Sequence, residues 1–180
     1  MYLAGKDNKM AKPDSRARRT MNDDIKTNPV FAKKVIDYLT PQFKLTDKFL
    51  EPCKGDGAFY DHMPSNKDWC EIDEGRDFLE YDGYADWIIT NFPWSGKVLR
   101  PLVRKACAIS DNVVHLIRCH NVIGTVARHK DFLDEGHTIK EIILVPWQDT
   151  FINKSNEGFA LMVIHTQKGW TGGTTWTYWI

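Results

Sequence analysis

The chain has 180 residues, 42% hydrophobic and 27% charged, which suits one globular domain with its own core and excludes a disordered or fibrous polypeptide. Lys+Arg and Asp+Glu both number 24, so the formal charge is zero, and any nucleic-acid contact must come from a local patch rather than a whole-molecule basic field. No apolar run approaches the roughly 18 residues of a membrane helix, and Cys53, Cys70, Cys107 and Cys119 stand singly, without metal-site spacing, as expected of reduced thiols in a cytoplasmic, metal-free protein.

Residues 1–24 read as a tail, and residues 25–180 as one domain. The first 20 residues carry six Lys or Arg against two Asp, a net +4. They hold too few large apolar residues to fold alone. A solvated terminus and a basic arm lying on a phosphate backbone both fit this composition.

Asn28-Pro29 opens a helix, because Pro suits the first helical position. Val30, Phe31, Val35, Ile36 and Leu39 recur at helical spacing, and Pro41 stops the run. Six short apolar runs follow as strands: Lys48–Glu51, Trp69–Ile72, Asp86–Thr90, Asn112–Ile117, Glu141–Val145 and Phe159–His165. Helical patterns cover Ser95–Ile109 and, more weakly, Val122–Leu133. The alternation predicts a mostly parallel α/β sheet whose last two strands pair antiparallel. Trp170, Trp176, Tyr178 and Trp179 around Gly172-Gly173 read as a hairpin on the sheet edge.

In open α/β sheets, ligands bind beyond the carboxyl ends of the strands. The first strand ends Glu51-Pro52-Cys53-Lys54-Gly55-Asp56-Gly57, a tight glycine loop with a helix expected behind it. The Lys-Ser/Thr of a nucleoside triphosphatase loop is absent, and Phe59 and Tyr60 replace the third glycine of a dinucleotide fingerprint. Glu51 at the strand end suits a cationic ligand and repels a pyrophosphate. Glu71, 20 residues on, stands where an acid grips two ribose hydroxyls. Asp77-Phe78 offers an acceptor for an adenine amino group and a ring to cover the base.

The third strand ends Asn91-Phe92-Pro93-Trp94. Asn-x-Pro-aromatic at that place resembles the catalytic motif of the S-adenosylmethionine-dependent amino-methyltransferases, which methylate the exocyclic amino group of adenine and, in some branches, cytosine. The resemblance covers residues 27 to about 165, counted from motif to motif. Thr27-Asn28-Pro29 resembles the family's N-terminal cofactor motif, Glu51-Pro52-x-x-Gly55-x-Gly57 its cofactor loop, Glu71 its ribose acid, and Asp77-Phe78 its adenine-binding pair. The motif order is similar to the gamma-type DNA adenine methyltransferases, and the compactness to small phage-type enzymes. Two features depart from the commoner pattern: Phe92 stands where Pro is usual, and no long segment reads as a target-recognition domain.

The resemblance implies a Rossmann-like methyltransferase fold with a seven-stranded-type sheet and an antiparallel edge hairpin. It implies S-adenosylmethionine as cofactor and N6-methyladenine as product, in DNA ahead of RNA. A catalytically silent fold that binds nucleic acid or a protein is the alternative. Asn91 and the Phe92 carbonyl would accept the amino hydrogens of a base that is flipped or unpaired, and Trp94 would stack on it. Lys97, Arg118 and His120, with Arg100, Arg104, Arg128, His129 and Lys130, form a candidate phosphate rim, solvated helix faces being the plainer reading. Phe151 is placed near the flipped base. A protein partner is expected where target specificity is not built into the chain; the oligomeric state is left open.

Overall fold

The computed structural model describes residues 25–123, 125–152 and 160–179. The tail and Phe159 at the start of the expected sixth strand therefore lie outside the described residues.

Helix α1 spans Pro29–Leu39. The Asn28 side chain accepts the Val30 N–H at 3.0 Å, so one of the helix's orphan donors is satisfied before the first turn. Phe31, Ala32, Val35, Ile36 and Leu39 form its buried stripe. A 3-10 turn at Thr40–Gln42 carries Pro41 and ends it.

Seven strands form one sheet: β1 (Phe49–Glu51), β2 (Lys67–Trp69), β3 (Ala85–Thr90), β4 (Ser110–Arg118), β5 (His137–Val145), β6 (Leu161–Lys168) and β7 (Thr175–Tyr178). Their spatial order is β2-β1-β3-β4-β6-β5-β7. The pairs β1/β2, β1/β3, β3/β4 and β5/β7 are parallel. The β4/β6 and β5/β6 pairs are antiparallel. Helix α2 (Gly96–Ile109) links β3 to β4, α3 (Val126–Asp134) precedes β5, and the single turn α4 (Trp147–Thr150) follows it.

Adjacent strand residues point to opposite faces, so the core divides in two. Ile89, Val114, Leu116 and Ile143 meet α1, while Ile88, Val113, Ile117 and Ile142 meet α2 and α3.

The structure corrects four details. No α-helix follows the glycine loop; only a 3-10 turn at Tyr60–His62 does. Pro64 and the start of β2 at Lys67 leave no room for two helical turns. Strand β2 lies at Lys67–Trp69, ahead of the expected Trp69–Ile72, and Ile72 opens a further 3-10 turn. Helix α3 begins at Val126 rather than Val122, after a 3-10 turn at Cys119–Asn121. The C-terminal segment is not a hairpin: β7 pairs parallel with β5, beyond its chain neighbour β6. The crossing is fastened by Thr138 Oγ1 donating to the Trp170 carbonyl and by Thr174 Oγ1 donating to the Ile139 carbonyl at 2.8 Å.

Candidate active site

The carboxyl ends of β1, β2 and β3 open on a cavity of about 460 Å³, inside the roughly 300–1,000 Å³ range of small-molecule pockets. Three chain segments build its wall.

The first is the loop after β1. Glu51 is only 2% exposed and accepts the Tyr60 N–H at 2.6 Å. Burial raises its pKa well above the ordinary carboxylate range, and the charges of Asp61 and Glu71 push the same way, against the Tyr60 N–H and Lys54. Gly55 and Gly57 have φ of +51° and +86°, the left-handed region that side-chain-bearing residues rarely adopt. The Gly57 N–H closes the turn onto the Lys54 carbonyl at 2.8 Å.

The second segment follows β2. Glu71 accepts the Gly55 N–H at 2.7 Å, so the expected ribose acid and the glycine loop are joined. Asp77 accepts the Leu79 N–H at 3.0 Å and caps the 3-10 turn Phe78–Glu80. Phe78 is buried, its ring centroid 6.3 Å from that of Phe92.

The third follows β3. Asn91 Nδ2 donates to Thr27 Oγ1 at 3.2 Å, while Asn91 Oδ1 is buried with no hydrogen-bond partner among the described residues. The Phe92 side chain is 1% exposed and packs near His115, so its ring belongs to the core. Trp94 Nε1 donates to the Leu116 carbonyl at 3.3 Å. Trp147 and Phe151 meet the Trp94 ring edge-on, and the Arg118 guanidinium lies over it at 4.6 Å.

Residues 25–27 close one side. Thr27 bridges to Phe151, the Ile152 N–H donates to the Lys26 carbonyl at 3.1 Å, and Lys26 reaches Asp56 on the glycine loop at 2.6 Å.

No family model and no curated protein matches the sequence. The structure resembles a candidate RNA methyltransferase from Pyrococcus horikoshii, with TM-score 0.60 and 16% identity over 78% of this chain and 85% of that one. It also resembles magnesium protoporphyrin IX methyltransferase from Synechocystis, solved with bound S-adenosylmethionine, with TM-score 0.55 and 10% identity over 78% and 79% of the two chains. The M protein of the type I restriction enzyme EcoKI is similar at TM-score 0.61 and 12% identity; 84% of this chain is matched but only 45% of that one. The chain has the fold of the S-adenosylmethionine-dependent methyltransferases.

Within this methyltransferase fold, Thr27, Glu51, Pro52, Gly55, Glu71, Asp77, Phe78, Asn91, Phe92, Pro93 and Trp94 all line the cavity. Asn28 and Pro29 begin α1 instead, and Gly57 shapes the loop from behind. Lys97 and His120 are exposed outside the cavity lining, and Phe151 is 1% exposed, walled in by Trp94 and Trp147. Within the expected rim, Arg100 makes a two-pronged pair with Asp131, Arg104 lies near Asp131 and Glu135, Lys130 pairs with Asp134, and Arg128 is buried. Among the described residues, no group of three His, Cys, Asp or Glu has a metal-holding arrangement. Sequence reasoning missed Lys26, Lys54, Asp56, Asp73 and Glu74 in the wall. Their one signal was adjacency to motif residues.

Proposed function

We propose that the chain binds S-adenosylmethionine in this cavity and methylates the exocyclic N6 of adenine in nucleic acid, DNA ahead of RNA. The observation that carries the reading is Asn91 Oδ1. A buried acceptor left unpaired costs about 1–3 kcal/mol, and the residue that carries this one lines the cavity, in the Asn-x-Pro-aromatic motif. A turn of the Asn91 amide toward the cavity would let a ligand N–H satisfy it.

The wall also fits the cofactor. Gly55 and Gly57 turn the loop without a Cβ, and Glu71 and Asp77 offer acceptors. The cofactor, when bound, supplies an electrophilic methyl group on a sulfonium sulfur. The chain's own residues make the adenine nitrogen a nucleophile. Its lone pair is delocalised into the ring, and two acceptors on its hydrogens favour a localised, pyramidal nitrogen. Asn91 Oδ1 and the Phe92 carbonyl supply them, and they stabilise the positive charge that develops there. Trp94, fixed through Leu116, supplies a stacking plane.

DNA stands ahead of RNA because the motif order resembles that of the gamma-type DNA enzymes. Arg100, Arg104 and Lys130 are paired with acids, which leaves less of the rim for phosphates and favours help from a protein partner in holding the target. The deciding experiment incubates the protein with methyl-labelled cofactor and separate DNA and RNA pools, then identifies the labelled nucleoside. N6-methyladenosine from RNA alone moves the substrate to RNA. No labelled nucleoside, with cofactor bound, leaves the silent fold.

A further inference from the structure

The sheet ends differently at its two edges. Strand β2, at one edge, carries Lys67 and Asp68, and Asp68 pairs with Arg76 at 2.7 Å. Charges on an edge strand oppose pairing with another chain. Strand β7, at the other edge, reads Thr175-Trp176-Thr177-Tyr178, without charge or proline. Among the described residues, no strand lies beyond it. Trp176 and Tyr178 are 47% and 60% exposed. We propose that β7 is a self-association surface: two copies of the chain pair their β7 strands antiparallel about a two-fold axis at Thr177, joining two sheets into one.

The backbone sets the register. The Trp179 N–H donates to the Leu144 carbonyl at 2.9 Å. Successive strand residues turn their N–H and C=O to opposite sides. Thr175 and Thr177 therefore face β5 as Trp179 does, while Trp176 and Tyr178 turn their N–H and C=O outward. With the axis at Thr177, Trp176 stands opposite Tyr178 of the second copy, and Tyr178 opposite its Trp176. Each of these pairs exchanges both bonds, and Thr177 meets its own counterpart at the closer, non-hydrogen-bonded spacing. The side chains agree. Register places Trp176 beside Ile142 and Tyr178 beside Leu144, on the sheet face where α3 packs on β5. The pairing lays aromatic rings side by side across the axis on that face and threonines on the other, both favourable cross-strand combinations. Thr177 Oγ1 donates to Glu141 at 2.6 Å, which holds β7 to its inner neighbour.

Charge selects the occupant. Strand β7 itself offers no cation to a phosphate backbone and no ion to a charged peptide, whereas an identical neutral strand meets no opposing charge. The chain's formal neutrality adds no net repulsion between copies. Area sets the strength. A fully covered Trp or Tyr buries about 150–250 Å², so the two half-exposed rings add about 200 Å² per copy, a small part of the roughly 800 Å² per partner of a standard interface. The dimer is therefore weak, with a micromolar or weaker dissociation constant. Because the axis reverses the strands, the two cavities open in opposite directions, and neither site needs the other copy.

The test is sedimentation equilibrium on the full chain between about 1 µM and about 1 mM. We expect a monomer that converts to a dimer across that range. Trp176→Lys and Tyr178→Lys, both at exposed positions with little folding risk, should each weaken the dimer about tenfold or more. Thr177→Cys should give a disulfide-linked dimer on mild oxidation, because the closer spacing at the axis suits the bond. The wild-type chain, with its half-buried Cys53 and Cys119, sets the background. Amide exchange at Trp176 and Tyr178 should slow as the concentration rises. A monomer at the highest concentration overturns the inference, as does a dimer that neither lysine variant weakens. A dimer that Thr177→Cys fails to link overturns the two-fold register. Protection of both amides in the dilute monomer would mean that another segment of the same chain already pairs with β7, and it too overturns self-association through this edge.

Discussion

Asn91 carries opposite demands in the resting protein and in the proposed reaction. Its Nδ2 is tied to Thr27, and its Oδ1 is buried without a partner among the described residues. Asn91→Ala removes the Nδ2 hydrogen bonds to Thr27 Oγ1 and, at 3.5 Å, to the Ile25 carbonyl, together with one unsatisfied acceptor, so stability should change little. Turnover should fall about 10²–10³-fold, the usual cost of losing one preorganised polar group at developing charge, with cofactor affinity retained. Single-turnover methylation at the wild-type rate would make the motif a structural turn. Trp94→Phe should keep part of the activity, because a flat ring remains, whereas Trp94→Ala loses stacking worth roughly 1–3 kcal/mol per base. The glycines of the loop differ in the same testable way. A Cβ on Gly55 meets nothing within 4 Å, and its φ of +51° is one that Asn tolerates, so Gly55→Asn should be nearly neutral in thermal melts. At Gly57 the φ is +86° and a Cβ lies 3.2 Å from Asp61 Oδ1. Gly57→Ala should destabilise by about 1–3 kcal/mol and loosen cofactor binding. Equal melting curves for the two variants would disprove that ranking.

Elements were legible where local pattern and burial agree. Helices α1 and α2 were readable from apolar spacing, because each packs one stripe on the sheet. The motif residues after β1 and β3 stood out because parallel strands deliver their chemistry at their carboxyl ends. Strand β2 was misplaced for a physical reason: it is a half-buried edge strand of Lys, Asp and Trp, so hydrophobicity does not mark it. The parallel joining of β7 to β5 is a non-local choice that no turn residue encodes. Charge pairing across elements, as within the expected rim, is invisible in one dimension. Arg100 and Asp131 are 31 positions apart, yet Asp131, 1% exposed, is the buried partner of that arginine. One local rule is broken inside α2. Pro101 is an exposed residue in the helix interior, where it can give no N–H to the carbonyl four residues back. Pro101→Ala should therefore stabilise the protein by about 1–2 kcal/mol, the helix gain being offset partly by a more flexible unfolded chain. A lower midpoint in urea would mean that the proline ring is needed where it stands.

At the scale of the whole molecule, formal neutrality conceals buried groups whose titration opposes one another. His115 and His165 are 1% and 2% exposed, and burial pushes both imidazoles down to about 3. His115 has no hydrogen-bond partner on either ring nitrogen among the described residues, and its neighbours are the Phe92 and Phe132 rings, with the Arg128 charge adding to the shift. In the unfolded chain each imidazole takes its proton near the ordinary value of about 6.5. Below that pH the unfolded state binds more protons, so stability falls as pH drops from about 6.5 toward about 3, by up to roughly 1.4 kcal/mol per pH unit for each ring. Glu51 acts with the reverse sign. Its raised pKa means that the folded state holds a proton the unfolded chain has released, so its contribution declines as pH rises from the ordinary carboxylate range through its shifted value. Glu51→Gln removes that opposing slope and leaves the histidines exposed to measurement. In this background, urea unfolding free energy should drop steadily between pH 7 and pH 5. Adding His115→Leu, an apolar side chain among phenylalanine rings, should remove about a third to a half of the drop, because burial also lowers His137 and His165. A drop that survives the replacement intact would mean that His115 accepts its proton in the folded core, and that the cluster beside Phe92 is wetter than its burial indicates.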